Sequence, residues 1–383
     1  MIPLNDTYTS TGHKFFAHQQ VMENLRNGKG QPVVTHVMLT DICQHTCAFC
    51  SVQARAGDSL MFDDVMTYLD TLSAYGLKAV ILSGGGNPIL YKCKVTGKNF
   101  NDVVDAIHER GLEIGLITNG MPLREYTYDY SFRESWGTVR PATLDKLTWV
   151  RISMAGLDHD EREVYVPDID PSKTALGFSY VAHDLYVEPA DPHHGKVSTR
   201  FDLMSGNMDR EPDWSFELRM ADLTRQLASY ALAHRPRYIR LLPNCLEPSL
   251  IPKRCKQLES MAYFVNTFVG KEVAFVQQKP PKAPHACYLG YIHPVLNTCG
   301  GVFPCDSCVL NEAAGHKFAN PWRICHWSEV AKLYEQPIHS LITDPSKLCP
   351  GCVFTHSNDI LESVVNGGMT PLPVLTPEHV NFI

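Results

Sequence analysis

An apolar segment that runs directly into three closely spaced cysteines is the feature that most constrains this chain. Residues 33–39 form an apolar run typical of a buried strand, and the loop after Thr40 carries Cys43, Cys47 and Cys50 in a C-x3-C-x2-C spacing. Free cysteine usually behaves as a small hydrophobe scattered through a core, so three thiols on one loop indicate metal binding. Three thiolates leave one iron of an iron–sulfur cluster open to an external ligand, whereas a structural zinc takes four protein ligands.

The same stretch resembles a known family signature. Residues 43–50, CQHTCAFC, resemble the motif of the radical S-adenosylmethionine (radical SAM) superfamily, including the aromatic Phe49 before the last cysteine. The resemblance implies a [4Fe-4S] cluster on the three cysteines, with S-adenosylmethionine (SAM) chelating its open iron and Phe49 against the adenine. It further implies that one electron cleaves SAM to methionine and a 5′-deoxyadenosyl radical. A zinc loop or an inert cysteine cluster is the alternative interpretation.

Strands and helices alternate after residue 33, which indicates an α/β fold with parallel strands and crossover helices, curled into a barrel or part of one. The resemblance implies the partial (β/α)6 TIM-like barrel of the radical SAM type. In such barrels the chemistry lies at the carboxyl ends of the strands, where the cysteine loop falls. The predicted helices are 61–75, 100–110 and 214–234, and the six predicted strands are 33–39, 78–83, 112–118, 149–154, 197–204 and 238–242.

A triple glycine follows the second predicted strand. Gly84, Gly85 and Gly86 precede Asn87 and Pro88, and glycines let a backbone approach a ligand closely. The GGGNP sequence resembles the superfamily's GGEP element, which implies contact with the amino group of SAM. Asn87 stands where the family has an acidic residue, so the role of that position is open. A triple glycine alone is more often a turn.

Two strand ends supply further candidates. Asn119 ends the third predicted strand and Ser153 lies near the end of the fourth; matching positions in the superfamily often hydrogen-bond the ribose of SAM. A turn at Asn119 and a satisfied core hydroxyl at Ser153 are equally consistent with the sequence.

The C-terminal region is rich in cysteine. Residues 288–304 have the alternation of a β-hairpin, and Cys287 and Cys305 flank it, so paired strands would bring these two thiols together. Cys349 and Cys352 form a C-x2-C turn before a predicted helix, whose amino-terminal amides favour thiolates. Four such thiolates suit zinc as well as an iron–sulfur cluster.

This cysteine layout resembles the twitch domain, a shortened SPASM domain, which implies one auxiliary [4Fe-4S] cluster on Cys287, Cys305, Cys349 and Cys352. The predicted organisation is a lead-in at 1–32, a radical SAM partial barrel at 33–280 and a small hairpin-plus-helix auxiliary domain at 281–383. Zinc or purely structural thiols are the alternatives. Cys299, Cys308 and Cys325 have no assigned role.

Composition bounds the compartment and partners. The net charge is −7 and the N-terminus has no apolar signal core, so thirteen cysteines indicate metal ligation in a reducing cytoplasm. No apolar run is long enough for a membrane span. The net charge provides no bulk attraction to nucleic acid. It does not exclude a local basic groove that binds one. An external one-electron donor such as flavodoxin or ferredoxin is implied by the resemblance.

The substrate is weakly indicated. Arg151, Arg200 and Arg240 lie in predicted strands; an inward guanidinium would need an anionic partner, but for each one alone the outward orientation is more common. The layout resembles that of the dehydrogenases of butirosin-type aminoglycoside biosynthesis, which implies hydrogen abstraction from a small-molecule or nucleotide-like substrate, with oxidation or rearrangement. The alternatives are modification of a ribosomal peptide or nucleic-acid base, and a non-enzymatic metal-binding or electron-transfer protein.

Overall fold

Strands and helices alternate along the chain as the apolar pattern predicts, and the fold is α/β. The computed structural model describes residues 4–9, 12–45, 47, 49–50, 55–123, 139–158, 164–183, 185–187, 197–199, 214–244, 250–277, 283–306, 322–349, 352, 354–368 and 378–383. The helices are α1 (Leu4–Tyr8), α2 (Gln19–Arg26), α3 (Phe62–Ala74), α4 (Phe100–Glu109), α5 (Pro141–Leu144), α6 (Trp214–His234), α7 (Ile251–Val269), α8 (Lys332–Glu335), α9 (Pro345–Leu348) and α10 (Thr355–Val365).

Ten strands form one sheet in the order β12-β11-β10-β1-β2-β3-β4-β5-β8-β9, and β6 and β7 form a separate ribbon. From β1 to β9 every neighbouring pair in the sheet is parallel, as expected for strands joined by crossover helices. The strands are β1 (Val34–Val37), β2 (Ala79–Leu82), β3 (Glu113–Thr118), β4 (Trp149–Ser153), β5 (Ala175–Ala182), β6 (Leu185–Val187), β7 (Val197–Thr199), β8 (Tyr238–Pro243), β9 (Ala274–Val276), β10 (Val295–Leu296), β11 (Gly301–Phe303) and β12 (Cys325–His326).

The prediction of the fifth barrel strand at 197–204 is wrong. The strand between β4 and β8 is β5, whose residues pair with both neighbours, while β7 pairs antiparallel with β6. β5 is nearly continuously buried, as a strand covered on both faces should be. The described part of the predicted strand, residues 197–199, belongs to this two-stranded ribbon. A further parallel strand, β9, was not predicted from the sequence.

The predicted hairpin is confirmed in shortened form. β10 and β11 pair antiparallel, with Val295 opposite Phe303, and residues 289–291 form a 3-10 turn rather than strand. β10 also pairs parallel with β1, placing Val295 beside His36. The hairpin therefore extends the barrel sheet beyond β1.

Two helices illustrate how local sequence sets the elements. α4 begins at a capping box in which Asn99 accepts from the backbone of Asn101 and Asp102 accepts from the backbone of Asn99, which satisfies amides left open at a helix start. α7 ends at Gly270, whose φ of 74° is a left-handed conformation that glycine adopts without strain. Among the described residues, no helix combines the length and apolar character that crossing a bilayer requires.

Alternate residues of the parallel strands face the barrel interior, as the period of a strand dictates. Trp149 and Tyr238 fill its floor beside Gly115 and Gly177, where any Cβ would collide with the two rings. The next inward residues of β4 and β8 are Arg151 and Arg240, which line internal cavities. Both arginines therefore point inward, not outward, and Arg200 lies outside the described residues.

Candidate functional site: a cysteine-lined cavity at the strand ends

A cavity of about 330 Å³ lies at the carboxyl ends of the parallel strands. Its lining comes from β1 to β5, from β8 and from the loops that follow them, which is where chemistry is expected in such a sheet. The cavity brings together every residue that the first resemblance singled out: Cys43, Cys47, Phe49, Cys50, Gly84, Gly85, Gly86, Asn119 and Ser153.

The cysteine loop is tied at its entry and exit. The backbone amide of Asp41 donates to the carbonyl of Asp58 at 3.0 Å, and Oδ2 of Asp41 accepts from the amide of Ala56 at 2.8 Å. Within the loop, the amide of Cys50 donates to the carbonyl of Cys47 at 3.0 Å. These bonds close the chain on itself and hold the thiols along one wall of the cavity.

The thiols are partly withdrawn from water and lie beside a cation. Burial raises the pKa of Cys47 to about 12 and also raises the pKa of Cys43, so ionisation needs a compensating positive charge. Arg55 donates from Nη2 to Sγ of Cys50 at 3.3 Å and from Nη1 to the carbonyl of His45 at 2.7 Å. Sequence reasoning missed Arg55, whose only signal was a lone basic residue just after the loop.

The glycine segment packs against the cysteine loop. The amide of Gly86 donates to the carbonyl of Thr40 at 2.7 Å and that of Asn87 to the carbonyl of Ile42 at 2.8 Å. A Cβ at Gly85 would stand 2.7 Å from the Thr40 oxygen, and one at Gly86 would collide with the Ile42 carbonyl. These glycines are therefore needed for the close approach of two backbones, in addition to any contact with a ligand.

Asn87 stands at the position where the family motif has an acid. Its side chain is buried and orients the side chain of Asn119. Its Nδ2 donates to Oδ1 of Asn119 at 2.8 Å, and its own Oδ1 accepts from Thr118 at 2.9 Å. Gln44 donates to the same Asn119 oxygen at 2.9 Å. With that oxygen occupied, Nδ2 of Asn119 lies on the cavity side, 4.0 Å from Sγ of Cys43.

Phe49 also lines the cavity and lies against a buried histidine. Its ring is 4.9 Å from that of His183. His183 lies 3.9 Å from Asp158, which also accepts from Arg219. Ser153, at the end of β4, is half-buried. His183 and Asp158 were not singled out from the sequence.

The four C-terminal cysteines also converge. Burial, reinforced by the neighbouring thiols of Cys305, Cys352 and Cys349, raises the pKa of Cys287, and burial together with Cys305 raises the pKa of Cys352 to about 12. The amide of Phe354 donates to Sγ of Cys352 at 3.3 Å, as the first turn of α10 begins. The structure thus brings the ends of the hairpin to the C-x2-C turn.

The two cysteine groups border one apolar cluster. Met38, Val295 and Phe303 are buried together, and both Cys50 and Cys305 pack against this cluster. In the described part of the chain, no three His, Cys, Asp or Glu side chains are grouped around a single-ion site. Thiolates of a four-iron cluster each bind a different iron and therefore lie farther apart.

Comparison with known proteins gives one family match, and it covers the part of the chain that carries the cysteine loop. Residues 37–166 match the model of the Radical SAM superfamily. This stretch of the chain is similar to a radical SAM domain. The family implies SAM and a [4Fe-4S] cluster as cofactors. The matched stretch runs from the last residue of β1 to beyond β4, so the cysteine loop, the glycine segment, Asn119 and Ser153 all fall inside it.

Solved structures with a similar path of the backbone include three whose descriptions state which molecules are bound. SuiB of Streptococcus suis bound to S-adenosylmethionine has a TM-score of 0.46 and 11% identity, over 84% of this chain and 70% of that one. BtrN in complex with AdoMet and 2-DOIA has a TM-score of 0.38 and 12% identity, over 88% and 92%. Native anSMEcpe with bound AdoMet and Cp18Cys peptide has a TM-score of 0.47 and 12% identity, over 88% and 99%. Similarity at this level carries no information on substrate or reaction.

A search of curated proteins found no significant relative. The residues of the radical SAM domain nevertheless fit its cofactors on their own chemistry. Three thiols and no fourth cysteine line the cavity among the described residues, which is the donor set for a cluster with one open iron. The backbone of the glycine segment lies directly beside them and also lines the cavity.

Proposed function

We propose that this protein is a radical SAM enzyme that abstracts a hydrogen atom from a small-molecule or nucleotide-like substrate, leading to oxidation or rearrangement. One observation carries the proposal: side chains from four separate strand ends meet in one cavity together with the three thiols of the C-x3-C-x2-C loop. An arrangement drawn from so many elements is typical of a binding site rather than of a turn or a satisfied core.

The chain's residues would divide the work of holding the cofactors. Cys43, Cys47 and Cys50 would ligate the [4Fe-4S] cluster, with the Arg55 guanidinium stabilising negative charge at Cys50 Sγ. When bound, the cluster supplies the electron that splits SAM into methionine and a 5′-deoxyadenosyl radical. Gly84, Gly85 and Gly86 would offer backbone groups to the amino group of SAM.

Asn119 and Ser153 would bind the ribose of SAM, and Phe49 would pack against its adenine. The network through Asn87 and Gln44 orients the Asn119 amide for this role, because three donors, counting the amide of Met121, already occupy its oxygen. Asn87, where the chain departs from the family motif, thus orients Asn119, another residue of the cavity.

We further propose an auxiliary [4Fe-4S] cluster on Cys287, Cys305, Cys349 and Cys352, acting as electron acceptor or substrate anchor. Support comes from the convergence of these four thiols and from the amide donated to Cys352. Both cysteine groups pack against one apolar cluster, which supports electron transfer between the two sites. An external one-electron donor such as flavodoxin or ferredoxin would supply the first cluster.

Anaerobic reconstitution tests the proposal. We expect about eight irons per chain and formation of 5′-deoxyadenosine from SAM when a reductant is supplied. Replacing Cys43, Cys47 and Cys50 together by alanine should abolish that product and remove about half of the iron. Cys255→Ala on α7 is a matched control that should change neither. A protein that binds iron but has no affinity for SAM would contradict the proposal.

A further inference from the structure

A layer of basic side chains lies inside the barrel, directly beneath the cysteine cavity. β1, β4 and β8 contribute His36, Arg151 and Arg240, which line that cavity and also a smaller one of about 120 Å³ below it. Arg151 precedes Ser153 by two residues on the same strand, so it lies about 6.6 Å deeper in the barrel.

Among the described residues, Arg151 is a buried cation without a counter-charge. Its residue exposure is 8%, and its guanidinium carbon lies 5.4 Å from the centre of the Trp149 ring. Its Nε has no hydrogen-bond partner, and in the described part of the chain no carboxylate forms an ion pair with it. Arginine stays charged at any physiological pH, and a buried unpaired charge is costly. The burial of Arg151 is explained if a bound ligand supplies the anion that pairs with its guanidinium.

The groups around Arg151 suit an oxyanion. His36 is 7% exposed and its Nε2 has no hydrogen-bond partner, while burial lowers its pKa, so it adds a hydrogen-bonding ring without a charge. His293, with its ring centre 6.4 Å from that of His36, has a pKa lowered by burial to about 4. Among the described residues that line the two cavities, Asp306 is the only carboxylate, against the guanidiniums of Arg151 and Arg240.

We propose that Arg151 and Arg240 bind an oxyanion of the substrate, a carboxylate or a phosphate group, within this layer. The inference rests on the proposed function and narrows its substrate to anionic small molecules. Planar guanidinium groups match both oxyanions by paired hydrogen bonds. A cavity of about 120 Å³ lined by both arginines has room for such a group.

SAM also carries a carboxylate, and it is the competing occupant. Its proposed contacts at Gly84 to Gly86, Asn119 and Ser153 lie at the strand ends, whereas Arg151 lies one pleat repeat deeper. A substrate anion should therefore bind while SAM is in place. SAM bound through the arginines would block it.

The test is isothermal titration of the anaerobically reconstituted full-length protein with inorganic phosphate and, separately, with succinate, each with and without saturating SAM. We expect saturable binding of one of the two probes under both conditions, and which probe binds identifies the oxyanion. Arg151→Met should weaken that binding at least tenfold, and Arg151→Lys, which keeps the charge but loses the forked donors, at least threefold. Arg225→Lys, an exposed change on α6, should leave it unaltered.

Two results would overturn the inference: no saturable binding of either probe, or binding that disappears when SAM is saturating. The second would assign the arginines to the SAM carboxylate and leave the proposed function intact. If Arg151→Met fails to fold, as judged by its thermal unfolding, Arg151→Lys decides. Iron content and SAM affinity are measured on the same samples. A wild-type protein that binds the anion but neither iron nor SAM would refute the proposed function alone.

Discussion

The side chain of Asn87 donates a hydrogen bond to Oδ1 of Asn119 across 2.8 Å. This contact joins the end of β2 to the end of β3 and fixes which way the Asn119 amide faces. Because Asn87 also accepts from Thr118 and from the amide of Ile89, its own orientation is determined by three bonds. Asn87, the residue that departs from the family motif, is therefore part of the cavity wall.

Asn87→Asp should weaken SAM binding by about tenfold, equivalent to ~1.4 kcal/mol. A carboxylate cannot donate to Asn119, and its negative charge would face the Asn119 oxygen, so the amide should turn over and present oxygen to the cavity. Equilibrium titration with SAM measures the effect. Asn27→Asp, the same change at an exposed helix end, serves as control. Unchanged affinity in Asn87→Asp would show that the network does not orient Asn119.

Gly86→Ala should displace the cysteine loop. The new Cβ would collide with the Ile42 carbonyl, and relieving that overlap should cost ~1–3 kcal/mol of unfolding free energy. We also expect iron in the first cluster to fall, as measured by iron content and by the electron paramagnetic resonance signal after reduction. Gly97→Ala, where a Cβ meets open space but φ is +70°, should lower stability through backbone strain without losing iron. Full iron content in Gly86→Ala would be the contrary outcome.

Cys287→Ala should lower the iron content from about eight to about four per chain if the C-terminal thiols hold a cluster. Cys287 is buried and close to the other three thiols, so its removal leaves the group with three ligands. Cys325→Ala is the matched control, because Cys325 lies on β12 near the hairpin but has no proposed ligand role. Tightly bound zinc in the wild type, with only about four irons, would favour the zinc alternative.

Lys14 should make stability depend on pH above neutrality. Burial lowers its pKa to about 7, from an ordinary value of 10.5, and its amine donates to the carbonyls of His379 and Phe382. Between these two pKa values the unfolded chain binds a proton that the folded protein does not. The unfolding free energy should therefore rise with pH across this window, by ~3 kcal/mol between about pH 7 and about pH 9.5.

Lys14→Met should lack this rise, since the variant has no amine to titrate. Urea unfolding of both proteins at the two pH values gives the comparison, and contributions from other titrating groups cancel in the difference. Identical pH dependence in the two proteins would mean that Lys14 is not held in its neutral form.

Local spacing together with the resemblance to a known family was sufficient for much of the site. The C-x3-C-x2-C loop, the triple glycine, Asn119 and Ser153 were identified as residues that follow successive strands, and the structure places them around one cavity. Parallel strands end at the same edge of a sheet, so position along the chain translated directly into proximity. The same reasoning failed at the fifth strand, because period-two alternation at 197–199 is common to a barrel strand and a ribbon.

The sequence by itself determined the α/β class, the cysteine loop and the pairing of the hairpin, because each depends on neighbours a few residues apart. Only the tertiary structure decided that Arg151 and Arg240 point inward and that Asn87 orients Asn119. Those relationships depend on strand order and on which face of each strand meets the barrel interior. A shift of one residue in register exchanges the two faces, and no local pattern reports that choice.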